Sequence, residues 1–191
     1  PKISDFGMAK IIPFDKTHVT TKVSGTIGYL APEYAVQAQL TRQADIYSFG
    51  VLLLEIVSGR CNTNTRLPPG ERYLLERAWL LHESNVLVTM VDESMEGMFD
   101  TEAAVRFLHV ALLCVQEAPK LRPKMSTVVK MLTGKKKVDG EKIMKPGMFF
   151  EFLELQGKDY PAAKSAGTTK GSSSSSTSYR LDNSTFSWGK A

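Results

Sequence analysis

The sequence predicts a mainly α domain followed by a polar C-terminal tail. Three observations carry this. Residues 45–57 are apolar on nearly every side of a helical wheel, as in a helix enclosed by protein. Downstream, three segments place apolar residues at helical spacing. From Ala162 onward the chain is rich in Ser, Thr, Gly and Ala, including Ser172–Ser176, and lacks the apolar content to order itself.

Taken in order, residues 1–4 read as the end of a strand. Residues 5–40 are rich in Gly, Thr and Pro without a sustained period, and read as one long ordered loop of the kind that carries function. Residues 41–58 are the core helix. Thr41 offers a capping hydroxyl and Gly59 a left-handed stop. A membrane span needs about 20 apolar residues without charge, and Asp45 and Glu55 interrupt this run too soon. Asp45 must be paired or hydrogen-bonded, because an unpartnered buried carboxylate costs several kcal/mol. Residues 61–71 are a surface loop by composition.

Residues 73–82 carry Leu74, Leu75, Ala78 and Trp79 on one helical face. A short helix is expected over 86–91. Residues 101–117 place Val105, Leu108, Leu112 and Val115 at helical spacing, capped by Asp100 or Thr101. A last short helix follows Arg122-Pro123, over 126–132. The organisation expected is a domain over 1–134, a basic and apolar extension over 135–161 and a Ser/Thr-rich disordered tail over 162–191. Within the extension, residues 143–155 form an apolar patch able to dock on the domain.

Composition sets outer limits. The 191 residues are 42% hydrophobic and 23% charged, ordinary for a globular domain with an extension. A net charge of +4 is too weak to argue for nucleic acid. Cys61 and Cys114 form no disulfide framework and fit a reducing compartment. His18, His82 and His109 have neither metal-ligand spacing nor a nucleophile arrangement; His109 and Trp79 read as packing residues, while Trp188 belongs to the tail. Lys135–Lys137, with Lys142 and Lys145, read as a solvated charged stretch, with contact to anionic lipid as the alternative.

Function rests on an ordered set of motifs. Asp5-Phe6-Gly7 opens the long loop. Gly25-Thr26-Ile27-Gly28-Tyr29-Leu30 precedes Ala31-Pro32-Glu33, which closes it. Asp45-Ile-Tyr-Ser-Phe-Gly50 starts the core helix, and Leu121-Arg122-Pro123 lies far downstream. Each alone is weak. Together, over residues 1 to about 134, they resemble the second half of a eukaryotic protein kinase domain. The wording of 17–34 and 47–60 is similar to plant receptor-like kinases. Residues 128–134 and the tail from Glu141 resemble the cold-responsive, largely cytoplasmic type in that group. The fold implied is the C-lobe, or large lobe, of the bilobal α+β kinase fold, with N-lobe and catalytic loop absent.

The resemblance assigns roles residue by residue. Asp5 is a hard oxygen ligand suited to Mg²⁺ on ATP. Phe6 packs beside it, and Gly7 supplies a sharp turn. Gly25, Thr26 and Tyr29 dock the protein substrate, with Thr26 supporting the catalytic loop and pointing to Ser/Thr acceptors. Thr17, Thr20 and Thr21 are phosphorylation candidates, with Thr20 or Thr21 as the main site and Lys10 as the phosphate partner. Their bland alternative is polar loop residues. Glu33 and Arg122 form a buried bidentate pair with a structural role. Asp45 accepts N–H bonds from the catalytic loop.

The catalytic base, the second metal ligand, the Gly-rich loop and the ATP-binding Lys all precede Asp-Phe-Gly in that family, and only four residues do so here. The expectation is therefore the later part of a longer serine/threonine kinase that uses ATP and Mg²⁺, itself unable to transfer phosphate. An apolar helix face is then left uncovered, giving a marginally stable, aggregation-prone piece. Implied partners are protein substrates and a co-receptor or upstream kinase. The implied location is the cytoplasm or the cytoplasmic face of the plasma membrane. The alternative is a truncated, non-catalytic binding module or decoy for kinase partners and substrates.

Overall fold

The structure, a computed structural model, describes residues 2–26, 28–64, 66–68 and 70–147. It is mainly α. Five α-helices and one two-stranded antiparallel sheet are described: β1 His18–Thr20, α1 Pro32–Gln37, β2 Gln39–Thr41, α2 Arg42–Ser58, α3 Leu74–Glu83, α4 Thr101–Cys114 and α5 Met125–Leu132. None of the described helices is long and apolar enough to cross a membrane. The tail expected to be disordered, over 162–191, and residues 148–155 of the apolar patch lie outside the described residues.

The core helix α2 forms as its caps require. The Thr41 hydroxyl accepts from the Ala44 N–H at 3.0 Å, and Gly59 takes the left-handed conformation at φ 63°. Val51 and Leu54 are completely buried, as are Leu108, Leu112 and Val115 from the α4 region and Val128 of α5. Gly50 lets α2 and α4 approach closely. A Cβ there would lie 2.7 Å from Cys114 Cβ and 2.9 Å from the Ala111 carbonyl. Burial pushes the Cys114 thiol up to about 12, so it stays a neutral packing group.

Several expectations need correction. Lys2–Ser4 are not a strand, because no neighbouring strand among the described residues pairs with them. The loop over 5–40 contains structure of its own. Pro32, with φ already fixed, starts α1, and Ala38 in the left-handed region ends it. β1 then pairs with β2, His18 opposite Thr41 and Thr20 opposite Gln39. α4 stops at Cys114 rather than at 117. Ala118 before Pro119 is extended, and the Gln116 side chain turns back to donate to the Leu112 carbonyl at 3.1 Å. The segment over 86–91 is a 3₁₀ turn, Leu87–Met90. The surface loop over 61–71 hides one residue, Asn62. Asp100, not Thr101, caps α4. Trp79 is half-buried rather than fully enclosed.

Two features have measurable consequences. On the open side of α2, Leu52 and Ile56 are 45% and 67% exposed, in register with Asp45 and Phe49 on one helical face. No described element covers its Leu52 and Ile56 end. Replacing Leu52 and Ile56 together with Gln should raise the monomer fraction of the 191-residue chain in size-exclusion chromatography while leaving its far-UV circular dichroism unchanged. Loss of helicity without gain of monomer would count against an uncovered face.

The second feature is a histidine pair. His82 of α3 and His109 of α4 meet edge to face with ring centroids 5.4 Å apart, and Trp79 lies 5.4 Å from His82. Burial lowers the pKa of both rings. His82 adds repulsion on His109, whereas Glu83 partly opposes the shift at His82. With folded-state values below the ordinary 6.5, the unfolded chain takes up protons first. Their contribution to stability is fully present above pH 6.5 and is lost as pH falls through the folded-state values. The urea midpoint should therefore drop between about pH 7.5 and 5.5, and the His82→Gln/His109→Gln variant should flatten that drop.

Candidate functional site

A groove of 720 Å³ opens between the N-terminal segment, the loop before α1 and the first turns of α2. Asp5, Phe6, Lys10, Gly25, Thr26, Tyr29 and Asp45 all line it. Residues far apart in sequence are thus gathered around one concavity. Gly7, Thr17, Thr20, Thr21, Glu33 and Arg122 lie outside its walls.

Asp5 is exposed and takes the left-handed conformation at φ 60°, rare for a residue with a side chain. The expected glycine turn therefore falls two positions earlier, at Asp5: Gly7 is not in that region. Aspartate tolerates it because its short carboxylate can satisfy nearby backbone, here the Gly7 N–H at 3.4 Å from Oδ1. Phe6 is 69% exposed. The segment after it is held lightly, by the Ala9 N–H on the Phe6 carbonyl and by Arg42 Nη2 on the Ile12 carbonyl at 3.0 Å.

Asp45 faces the groove from the first turn of α2 and accepts no hydrogen bond among the described residues. The surrounding protein withholds part of its hydration and raises its carboxyl pKa. Among the described residues no group of three His, Cys, Asp or Glu side chains could hold a metal ion. Asp5 is therefore a single available oxygen donor rather than part of a finished cage.

The far wall is fastened to α2. Gly25, at φ 139°, turns the chain in a conformation that side chains avoid. Thr26 stands exposed beside it. Tyr29 donates its hydroxyl to the Glu55 carboxylate, 2.8 and 2.7 Å from the two oxygens. Burial and that carboxylate push the phenol pKa well up, so the hydroxyl remains a donor. The Glu55 carboxylate also accepts from the Asn62 N–H at 2.6 Å, and Asn62 Nδ2 donates to the Gly28 carbonyl at 2.9 Å. Ser48 donates to the Tyr29 carbonyl at 2.7 Å. Tyr34 works from the other side, donating to the Lys22 carbonyl at 3.0 Å and accepting from the Ser24 N–H at 3.1 Å.

Sequence reasoning passed over Ser48, Glu55, Asn62 and Tyr34. Ser48 and Glu55, two turns apart on one face of an otherwise apolar helix, were the available signal. Nothing marked Asn62 or Tyr34. Of the phosphorylation candidates, Thr17 and Thr20 are exposed and Thr21 is half-buried, all on or beside β1, and Lys10 is exposed.

Beneath the loop, Glu33 meets Arg122. Nη1 lies 2.8 Å from Oε1 and Nη2 2.9 Å from Oε2, with the arginine side chain at 0% exposure and the glutamate at 9%. Arg122 also donates to the carbonyls of Gln116, Gln43 and Glu117 at 2.7, 3.0 and 3.1 Å. Arg122→Ala would strand Glu33 and three carbonyls, at a cost of about 3–5 kcal/mol in unfolding free energy. Arg122→Lys should recover only part of this, because an ammonium cannot reproduce the fork. Urea titration of the three proteins checks both statements.

The comparisons with known proteins agree with this gathering of motifs. A family model described as protein tyrosine and serine/threonine kinase matches residues 1–132. Cold-responsive protein kinase 1 of Arabidopsis thaliana is 61% identical over 164 residues, covering 86% of this chain and 42% of that protein. Two probable LRR receptor-like serine/threonine-protein kinases of the same plant are 47% and 52% identical, over 83% and 72% of this chain and 16% and 13% of their own lengths. The chain thus spans less than half the length of these relatives.

Proposed function

The chain belongs to the protein tyrosine and serine/threonine kinase family, and from that membership we propose that it is the C-terminal part of a serine/threonine kinase. The whole protein would move the γ-phosphate of ATP to Ser or Thr hydroxyls of protein substrates. The observation that carries the reading is the shared groove, with Asp5 and Phe6 on one wall and Gly25 and Thr26 on the other.

Asp5 is the residue that would hold Mg²⁺. Its exposed carboxylate suits a hard cation, and Mg²⁺ typically takes only one or two carboxylates, the rest being phosphate oxygens and water. When bound, the metal supplies charge neutralisation on the phosphates. The chain's own residues do the positioning. Gly25, where a Cβ would strike the Leu30 side chain, turns the loop that docks the substrate, and Thr26 offers a hydroxyl at the rim for the catalytic loop. Tyr29 shapes the wall from its tie to Glu55. Asp45 remains available to accept backbone N–H groups of that loop, which would relieve its strained ionisation.

Glu33 and Arg122 have a structural role, holding the C-terminal end of the substrate loop. Thr20 or Thr21 is the proposed activating phosphosite, with Thr17 secondary. A phosphate there adds nearly two negative charges at the short β1–β2 ladder, and Lys10 is the cation proposed to pair with it in a new charge-assisted contact that would reorder the segment. Protein substrates and an upstream kinase or co-receptor are the partners. The proposed place of action is the cytoplasm or the cytoplasmic face of the plasma membrane.

The longer protein carrying these residues should transfer radiolabelled phosphate from ATP to itself and to casein in the presence of Mg²⁺, with label recovered on Ser and Thr. Asp5→Asn in that protein should lower the rate by roughly 100-fold or more. Label confined to Tyr, or an Asp5→Asn rate equal to wild type, would overturn the assignment.

A further inference from the structure

After α5 the chain returns to the domain and fastens there. Gln116, completely enclosed, donates to the Met144 carbonyl at 2.8 Å and accepts from the Met144 N–H at 3.2 Å. Ile143 is buried in the core cluster. The buried Tyr47 hydroxyl donates to the Gly147 carbonyl at 2.8 Å, and the Gly147 N–H reaches the Val115 carbonyl at 3.3 Å. Gly147 is wedged. A Cβ there would lie 2.7 Å from Pro32 Cγ and 3.0 Å from Glu117 Cα. The extension is thus built into the domain as far as Gly147, beyond the last family-matched residue, 132.

Pro32 and Glu117 also line a second groove, of 650 Å³, between α1 and the α4–α5 connection. Its apolar lining includes Val36, Leu121 and Met144, which are 48%, 48% and 60% exposed. The described chain therefore ends at the rim of an open apolar groove. The next eight residues, 148–155, include Met148, Phe149, Phe150, Phe152, Leu153 and Leu155.

We propose that this groove is the docking site of the chain's own segment 148–155. Reach favours this occupant: at about 3.3 Å per residue, the phenylalanines can span the groove from the fixed Gly147. Tethering favours it over any partner in trans. A segment joined directly to the rim has an effective concentration in the millimolar range. The volume accommodates a few large side chains, and the segment supplies three phenylalanines in four residues. The inference stands on the groove and the fixed extension, independently of the kinase reading.

The test uses the full chain with Cys61→Ser to remove the exposed thiol. One variant adds Val36→Cys and Glu151→Cys, and the control adds Leu80→Cys on α3 with Glu151→Cys. A disulfide needs Cβ atoms about 3.5–4.5 Å apart. Diamide, the oxidant, should close the Cys pair at 36 and 151 within one chain about ten-fold faster than the control pair. Equal rates, or bonding only between chains, would overturn the proposal, the latter assigning the groove to a second copy. In the Val36→Cys single variant, changing Phe149, Phe150 and Phe152 together to Ser should raise maleimide labelling by about ten-fold at unchanged circular dichroism. Unchanged labelling would refute an occupied groove.

Discussion

Arg122 has five N–H groups, and each has an acceptor. Two meet Glu33, and the others meet the carbonyls of Gln116, Gln43 and Glu117. These acceptors belong to α1, the first turn of α2 and the segment after α4. One guanidinium therefore fixes the mutual position of three parts of the chain, the farthest of them 89 residues from Arg122 in sequence. A buried charge is costly unless every hydrogen-bonding site is filled, and here they are filled. The guanidinium also lies over the Tyr47 ring, 5.1 Å from its centroid, where the aromatic face favours a cation. Burial raises the Tyr47 pKa, keeping its hydroxyl protonated as a donor to Gly147. The node thus extends outward from Glu33 through Arg122 and Tyr47 to the C-terminal extension.

The second organising element is α2, whose sides do different work. Val51 and Leu54 build the core, and Gly50 admits α4. Ser48 and Glu55 hold residues 28 and 29, through Tyr29 and Asn62. Asp45 faces the groove, while Leu52 and Ile56 point outward without cover from any described element. An apolar helix with a polar pair two turns apart can serve all three purposes, because helical periodicity separates the faces. The stretch from Tyr29 to Glu33 is consequently held at both ends, by Glu55 at Tyr29 and by Arg122 at Glu33.

Much of this was legible in the sequence where local chemistry decides structure. The Thr41 cap, the Gly59 stop and the apolar run between them define α2 without reference to any partner. The Glu33 and Arg122 pairing was legible only through the motif order, since nothing local links an acid and a base so distant. The rest depended on tertiary surroundings. Asn62 lies in a stretch that is loop by every compositional measure, yet it is buried because Glu55 and Gly28 require its amide groups. β1 has three residues and gains its identity only from pairing with β2. The left-handed backbone fell on Asp5 rather than Gly7, because a carboxylate near its own downstream N–H offsets the cost that glycine normally avoids.

That backbone at Asp5 bears on how the groove is set. A non-glycine residue in the left-handed region costs about 1–2 kcal/mol. At an exposed position such a cost brings no packing in return, and the N–H bond to Oδ1, at 3.4 Å, is long. The opposite wall has the reverse character. Tyr29, Ser48, Glu55 and Asn62 tie it with several short hydrogen bonds, and Tyr34 ties it again. The groove therefore has one rigid side, anchored to the core through α2, and one lightly held side bearing Asp5 and Phe6. The light side can be repositioned at small cost by contacts made beyond these residues, while the rigid side keeps the loop before α1 in register with the Arg122 node. Division of the groove into a fixed reference and an adjustable edge bearing Asp5 follows from where the hydrogen bonds are concentrated.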